Sequence, residues 1–146
     1  MKMPQKLDSQ MIAFCGMDCT VCYKQLAERK TIKRCHGCQR DDATLPKHCR
    51  NCRIKTCAKE RQLQHCFDCW EYPCLLIRNL DQSYRKRYQV SLIEQGFFLK
   101  EHGFDDFFTV ERERFGCECG GIVSLHDQIC SVCGKPMETT DKLLLK

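Results

Sequence analysis

The chain has 146 residues, 15 of them cysteine, and carries a formal net charge of +5. Leu, Ile, Val and Phe together supply only 33 residues, too few for apolar burial alone to account for a stable domain. No run approaches the roughly 18 apolar residues of a membrane helix, and residues 1–8 have no apolar signal core. We therefore expect a cytoplasmic protein without a membrane partner, whose reduced cysteines bind metal rather than form disulfides.

Most of the cysteines lie in the first half of the chain, many of them in C-x-x-C pairs, a spacing typical of tetrahedral thiolate sites. The spacing C-x2-C-x4-C occurs twice, from Cys49 and from Cys66, which indicates a short internal duplication. We predict a cysteine-rich metal-binding domain of zinc knuckles and short helices over residues 10–80. Its predicted ligands are Cys15, Cys19, Cys22, Cys35, Cys38, Cys49, Cys52, Cys57, Cys66, Cys69 and Cys74.

The pairs can be matched into two sites in several ways. Neighbouring pairs close the shorter loops and therefore cost less chain entropy. This favours Cys19/Cys22 with Cys35/Cys38, and Cys49/Cys52 with Cys66/Cys69. Cys15, Cys57 and Cys74 would then be spare or would join a third site.

Two short helices are expected within this domain, over residues 20–30 and 56–64, with a loop at 41–46. Beyond Pro73, apolar residues recur three and four positions apart, which predicts a helical linker over residues 81–115. Gly96 and Gly103 are candidate helix stops. The phenylalanines between residues 104 and 115 are expected to pack an aromatic face against the cysteine-rich domain.

The remaining cysteines form a second pattern near the C-terminus. Two short knuckles, each followed by glycine and ten residues apart, are typical of a zinc ribbon, in which a hairpin brings two tight turns together. We predict this ribbon over residues 116–136, although its first knuckle is C-x-C-G rather than the usual C-x-x-C-G. Its predicted ligands are Cys117, Cys119, Cys130 and Cys133.

The positive charge is concentrated among the cysteines. Residues 1–75 have 14 basic and 8 acidic residues, a net +6, whereas residues 76–146 have 10 and 11, a net −1. A zinc ion with four thiolates carries a net −2, so the basic residues are interpreted first as counter-charges to metal sites. A protein partner is therefore expected, and a nucleic-acid partner is not favoured.

Several motifs resemble a known family. They are Phe14-Cys15-Gly16-Met17-Asp18-Cys19-x2-Cys22, Cys35-His36-Gly37-Cys38, Cys49-x2-Cys52-Arg53-Ile54-Lys55-Thr56-Cys57-Ala58 and Cys66-x2-Cys69-Trp70-Glu71-Tyr72-Pro73-Cys74. Over about residues 12–80 they resemble domain-of-unknown-function family 3795 (DUF3795), a cysteine-rich group of bacterial and archaeal proteins, some of which share an appended zinc ribbon. The resemblance implies zinc binding and no particular activity.

The sequence thus predicts a small metal-stabilised α+β protein that serves as a binding or adaptor module with structural zinc. No paired carboxylates, catalytic triad or phosphate loop indicates an enzyme. The alternative is an iron–sulfur redox or sensor protein, with the cluster in the N-terminal domain, because thiolate clusters tolerate varied spacing. Three histidines lie beside cysteines and are expected to be exposed or to support the ligands rather than bind metal themselves. They are His36, His48 and His65.

Overall fold

A computed structural model describes residues 9–22, 39 and 52–137 of the chain. The helices are α1 (Arg53–Glu60), α2 (Leu75–Tyr88), α3 (Leu92–His102) and α4 (Phe104–Phe115), with short 3-10 turns at Ser9–Met11, Cys19–Val21 and Cys66–Asp68. Extended pairing within these described ranges consists of isolated antiparallel bridges, three of which lie beyond residue 115. The described part of the molecule is therefore rich in helix and has few strands.

The helix predicted over residues 56–64 is present but lies further upstream. Helix α1 begins at Arg53, and Cys52, whose backbone is extended, stands at its N-cap position. At residues 20–30 the structure shows only the 3-10 turn Cys19–Val21, in which the Asp18 carboxylate accepts the N–H of Thr20 at 3.0 Å. Residues 23–30 and the predicted loop at 41–46 lie outside the described residues.

One buried carboxylate connects α2 with the start of α3. Asp81 Oδ1 accepts the hydroxyl of Ser91 at 2.6 Å and the N–H of Ile93 at 3.0 Å. Its other oxygen accepts Arg85 Nε at 2.8 Å. Ser91 caps α3 in turn, since its hydroxyl accepts the N–H of Glu94. The hydrogen bonds of the Asp81 and Ser91 side chains therefore stabilise the turn between the two helices.

The two glycines predicted as helix stops behave differently. Gly103 separates α3 from α4 and has φ +87°, a backbone conformation that favours glycine. Gly96 lies inside α3, so the prediction of a stop there is wrong. A Cβ at this position would collide with the Tyr72 hydroxyl and come within 3.1 Å of Phe67. Gly96 therefore permits close packing rather than ending the helix.

The segment of residues 11–22 lies at the centre of the packing. Ile12 packs with Phe67, Leu99 and Phe107, which confirms that the aromatic face of the helices contacts the cysteine-rich part. Further along the segment, Val21 belongs to a second cluster that includes residues from α3, the end of α4 and residues 116–137. The buried members of that cluster are Ala13, Met17, Cys19, Val21, Val90, Leu92, Phe115, Ile122 and Leu125.

This shared core bears on the predicted division into units at 10–80, 81–115 and 116–136. The backbone N–H of Leu125 donates to the carbonyl of Val21 at 2.9 Å, and both side chains are buried in the same cluster. Helix α2 also continues across residues 80 and 81. The boundaries stay a prediction, but the packing gives no reason to expect residues 116–136 to be removable without cost. Among the described residues, no helix has the length and apolar character needed to cross a membrane.

Candidate metal centre

Four cysteine sulfurs converge in residues 117–133. All four Sγ atoms lie within 4.8 Å of one another, with Cys117 and Cys133 at 3.6 Å and Cys119 and Cys130 also at 3.6 Å. A tetrahedral ion with Zn–S bonds of about 2.3 Å places its sulfurs about 3.8 Å apart. The set therefore has the dimensions of a site for a single metal ion. We call these four residues the C-terminal cluster.

Two tight turns bring these sulfurs together. In the first turn, Gly120 donates its N–H to Cys117 at 2.9 Å and Cys117 donates to Gly121 at 3.0 Å. In the second, the N–H of Gly134 donates to Cys130 at 3.1 Å. Gly120 and Gly134 have positive φ values of 88° and 74°, which glycine adopts without strain. The shortened C-x-C-G knuckle thus still places Cys117 in the set.

Gly121 is close to one of the sulfurs. A Cβ at this position would lie 2.7 Å from the Sγ atom of Cys130 and 2.9 Å from the side chain of Val132. The absence of a side chain at Gly121 therefore allows the second turn to approach the first.

The surroundings of Cys130 favour its thiolate form. Burial raises the pKa of this thiol, but the backbone N–H groups of Cys133 and Val132 together with hydrogen bonds from the Cys119 and Cys117 thiols lower it from 9.0 to about 6. The N–H of Val132 lies 3.4 Å from the sulfur. Because the thiolate is the form that binds metal, the turn prepares this residue as a ligand before any ion arrives.

A second set of thiols interacts electrostatically with Cys66. Cys66 is close enough for its charge to interact with four other cysteines, and Cys15 interacts with both Cys66 and Cys52. The backbone connects these segments, since the N–H of Cys66 donates to the carbonyl of Phe14 at 2.7 Å. We call this set the Cys66 group, and its members are Cys15, Cys52, Cys57, Cys66, Cys69 and Cys74.

The position of these residues bears on the predicted partition of the ligands. Cys15, Cys57 and Cys74, which the preferred pairing leaves spare or in a third site, each interact electrostatically with Cys66. Whether they are spare or join a third site stays a prediction. Within the ranges 9–22, 39 and 52–137, no other set of three or more ligand atoms is as compact as the C-terminal cluster. Burial raises the pKa of Cys15 and of Cys66 to about 12, with like-charged cysteine neighbours adding to the effect.

One basic residue contacts the Cys66 group directly. Arg61 Nη1 donates to the Sγ atom of Cys69 at 3.2 Å, and Nη2 contacts Glu71 at 3.3 Å. The hydrogen bond to Glu71, its charge and the nearby thiols all raise the pKa of Arg61, so the guanidinium stays charged beside the sulfur. Trp70, which directly follows Cys69, is 87% exposed, and Leu75 is 73% exposed.

The other predicted ligands have separate outcomes. Cys19 is buried and Cys22 half-buried, and both interact electrostatically with the Tyr84 hydroxyl. Three predicted ligands lie outside the described residues, so the preferred pairing of knuckles stays a prediction. These three are Cys35, Cys38 and Cys49, and the same holds for His36 and His48. His65 is buried rather than exposed and stacks on Phe67 at 4.8 Å.

Sequence reasoning missed a buried pair of carboxyl groups. Asp18 and Glu111 are both 1% exposed, and burial raises the pKa of each, that of Glu111 well above 4.5. One oxygen of each carboxyl has no hydrogen-bond partner among the described groups. Arg114 Nη1 donates to the other Glu111 oxygen at 2.7 Å. Asp18 lies among cysteines and Glu111 among charged residues, so nothing in the local pattern signals this contact.

The fold and the C-terminal cluster define a helix-rich, cysteine-rich protein with four thiols placed to bind a metal ion. Residues 11–79 match the model of a family described as protein of unknown function (DUF3795), which supports the resemblance seen in the cysteine motifs. All eleven N-terminal cysteines fall within this range. No curated protein and no solved structure matches the chain.

Proposed function

We propose that this protein is a zinc-binding adaptor, in which the C-terminal cluster forms a zinc ribbon and holds one structural Zn²⁺. The observation that carries the proposal is the compactness of the four sulfurs, all within 4.8 Å of one another. That spacing suits one tetrahedral ion, and four thiolates satisfy zinc without an open position for a substrate. The free energy of metal binding at such a site also stabilises the folded state, and it therefore supplements the small apolar core.

The adaptor role is supported by apolar side chains that remain exposed near both thiol sets. Trp70 and Leu75 lie in the loop and helix start beside the Cys66 group, and Val132, at 51% exposure, lies between two ligands of the C-terminal cluster. Exposed tryptophan is enriched at the energetic centres of protein interfaces. These positions favour a protein partner over nucleic acid. Binding of nucleic-acid phosphates would require basic residues whose charge is not already balanced by metal thiolates.

The experiment is metal analysis of the full chain purified without oxygen. We expect the wild type to contain zinc, and Cys133→Ser to contain one zinc ion fewer. Val132→Ala, which changes an exposed neighbour but no ligand, is the matched control and should retain the wild-type content. Unchanged zinc in Cys133→Ser, or iron lost in its place, would overturn the assignment of zinc to this cluster. Nanomolar binding to generic DNA that weakens steeply with added salt would overturn the choice of a protein partner.

A further inference from the structure

One face of helix α2 is exposed along the length of the helix. Four of its side chains recur four, three and four positions apart, a spacing that places them in one row. They are Leu75, Asn79, Gln82 and Lys86, and all four are exposed. Tyr84, on the opposite side of the helix, packs against the shared core. The row therefore faces away from that core, and we call these four residues the α2 row.

The α2 row changes in character from one end of the helix to the other. It begins with Leu75, which is 73% exposed, continues through two amides and ends at Lys86. Arg78 and Arg87 lie beside the row and are also exposed. The helix advances about 16 Å between Leu75 and Lys86, at about 1.5 Å per residue. An apolar end and a basic end thus share one face, separated by groups that both donate and accept hydrogen bonds.

The basic side chains of this face carry charge that the described residues do not neutralise. The acidic residue of α2 is Asp81, which is buried and bound to Arg85. In the described part of the chain, no carboxylate lies within 4.0 Å of the side-chain nitrogens of Arg78, Lys86 or Arg87. These three cations are therefore available to the carboxylates of a partner.

An open groove follows the basic end of the row. Its volume is about 520 Å³. The side chains that line it are polar or basic, and within the described ranges none of them is engaged in a hydrogen bond or ion pair. They are Asn79, Gln82, Ser83, Lys86 and Arg87. The groove thus offers donors that a ligand can use without breaking contacts inside the protein.

We propose that the α2 row binds an acidic peptide segment of a partner protein. An apolar side chain of the peptide lies on Leu75, and two or more carboxylates contact Lys86 and Arg87. An extended peptide advances about 3.3 Å per residue, so the apolar residue and the carboxylates are about five residues apart. The amides of Asn79 and Gln82 pair with the peptide backbone between them. This inference rests on the proposed adaptor role and specifies the chemistry of the partner.

Nucleic acid suits this face less well. The face has three cations without an acidic partner among the described residues, whereas tight binding to DNA uses about six to ten phosphate contacts. The row also begins with Leu75, which has no aromatic surface on which a base could stack. Charge and apolar surface together therefore favour a peptide that supplies both carboxylates and an apolar side chain.

The test measures the binding of labelled peptides to the full chain by fluorescence anisotropy. The probe peptide has one leucine, a short spacer of glycine and serine, and a run of glutamates about five residues from the leucine; a second probe has the reverse order. The control peptides carry glutamine in place of glutamate. We expect one of the glutamate peptides to bind at least about tenfold more tightly than its glutamine control. Equal affinity of both pairs, or no binding, would overturn the proposal.

Variants then locate the binding on α2. We expect Lys86→Glu and Leu75→Ser each to weaken binding of the glutamate peptide at least about fivefold, because each removes one end of the row. Lys100→Glu is the matched control, since Lys100 is likewise exposed in the last turn of a helix, and it should bind as the wild type does. Equal weakening in Lys100→Glu and Lys86→Glu would indicate a response to net charge alone and would overturn the proposal.

A folding failure would not decide the outcome, because the comparison of glutamate and glutamine peptides needs only the wild type. A single-stranded oligonucleotide that binds more tightly than the peptides, unaffected by Leu75→Ser, would assign the face to nucleic acid and overturn the peptide. Zinc analysis of the same sample separates this inference from the metal site. Peptide binding by a chain without zinc would count against the ribbon only, and a zinc-loaded chain without affinity would count against the α2 row only.

Discussion

The two sets of thiols differ in how the chain assembles them. The C-terminal cluster is local, since its ligands lie between Cys117 and Cys133 and its turns are closed by their own backbone hydrogen bonds. The Cys66 group draws on residues from Cys15 to Cys74, and its members depend on the packing of α1, α2 and the central segment. Short loops cost little entropy to close, whereas distant segments must first be packed together. A local site can therefore be compact before metal binds, while a non-local site relies on the fold and the metal together.

This contrast does not make the two regions independent. Leu125, which follows the first knuckle, is buried with Val21 and Phe115. The buried carboxyls of Asp18, in the central segment, and Glu111, in α4, likewise interact electrostatically. Disturbing either interaction should therefore affect the packing around both sets of thiols.

The largest effect is expected from Leu125→Ala. Leu125 is 1% exposed in the shared core, and truncating such a side chain costs about 2–5 kcal/mol. We expect the free energy of unfolding of the whole chain to fall by this amount, measured by denaturant titration at fixed metal content. The control is Val132→Ala, where an exposed residue is truncated and the change should stay within about 0.5 kcal/mol. Loss of structure confined to residues 116–137, with the helices unaffected, would show that the regions are separable after all.

A smaller effect, dependent on pH, is expected from Glu111→Gln. In the folded protein, burial raises the pKa of the Glu111 carboxyl well above its ordinary value of 4.5. In the unfolded chain, the same carboxyl releases its proton near pH 4.5. The unfolded state then binds fewer protons, so the free energy of unfolding falls as pH rises from 4.5 towards the folded-state pKa. The slope is at most about 1.4 kcal/mol per pH unit for one proton.

Glutamine cannot release this proton, so we expect Glu111→Gln to lose stability less steeply than the wild type as pH is raised. Thermal or denaturant unfolding across a pH series measures the difference between the two slopes. Glu113→Gln, an exposed position on the same helix, serves as the control and should follow the wild-type slope. Parallel slopes for Glu111→Gln and the wild type would mean that the buried carboxyl pair does not hold the proton.

The most local effect is expected from Gly121→Ala, which tests whether the C-terminal cluster is arranged before metal binds. Its added Cβ would press on the Cys130 sulfur, and overpacking of this kind costs about 1–3 kcal/mol. We expect the affinity of this cluster for Zn²⁺ to fall about tenfold or more, as measured by competition with a chelator. Wild-type affinity in the variant would imply that the turn adjusts freely around its sulfurs.

The sequence was most informative where structure is local. The glycine-flanked knuckles predict the convergence of Cys117 with Cys133 because turn chemistry acts over a few residues. The recurrence of apolar residues after Pro73 predicts the helical stretch, but it does not show that Gly96 packs against Tyr72 within a helix. That contact depends on another part of the chain.

Features outside the C-x-x-C pattern gave little signal. Matching C-x-x-C pairs left Cys57 and Cys74 spare or in a third site, although they lie only nine and eight residues from Cys66, with which both interact electrostatically. The interaction between Asp18 and Glu111 joins residues 93 positions apart in sequence, and neither residue lies in a pattern that predicts burial. Both features follow from tertiary packing, which a single sequence does not display.

The exposed indole of Trp70 gives the molecule an optical property. This residue is the only tryptophan of the chain, and it adjoins Cys69, a member of the Cys66 group. At 87% exposure the indole is in contact with water, so we expect its emission to change when a metal ion at the neighbouring sulfur alters its surroundings. The C-terminal cluster has no tryptophan of its own. The protein thus carries a native fluorophore that distinguishes filling of one thiol set from filling of the other, without a label.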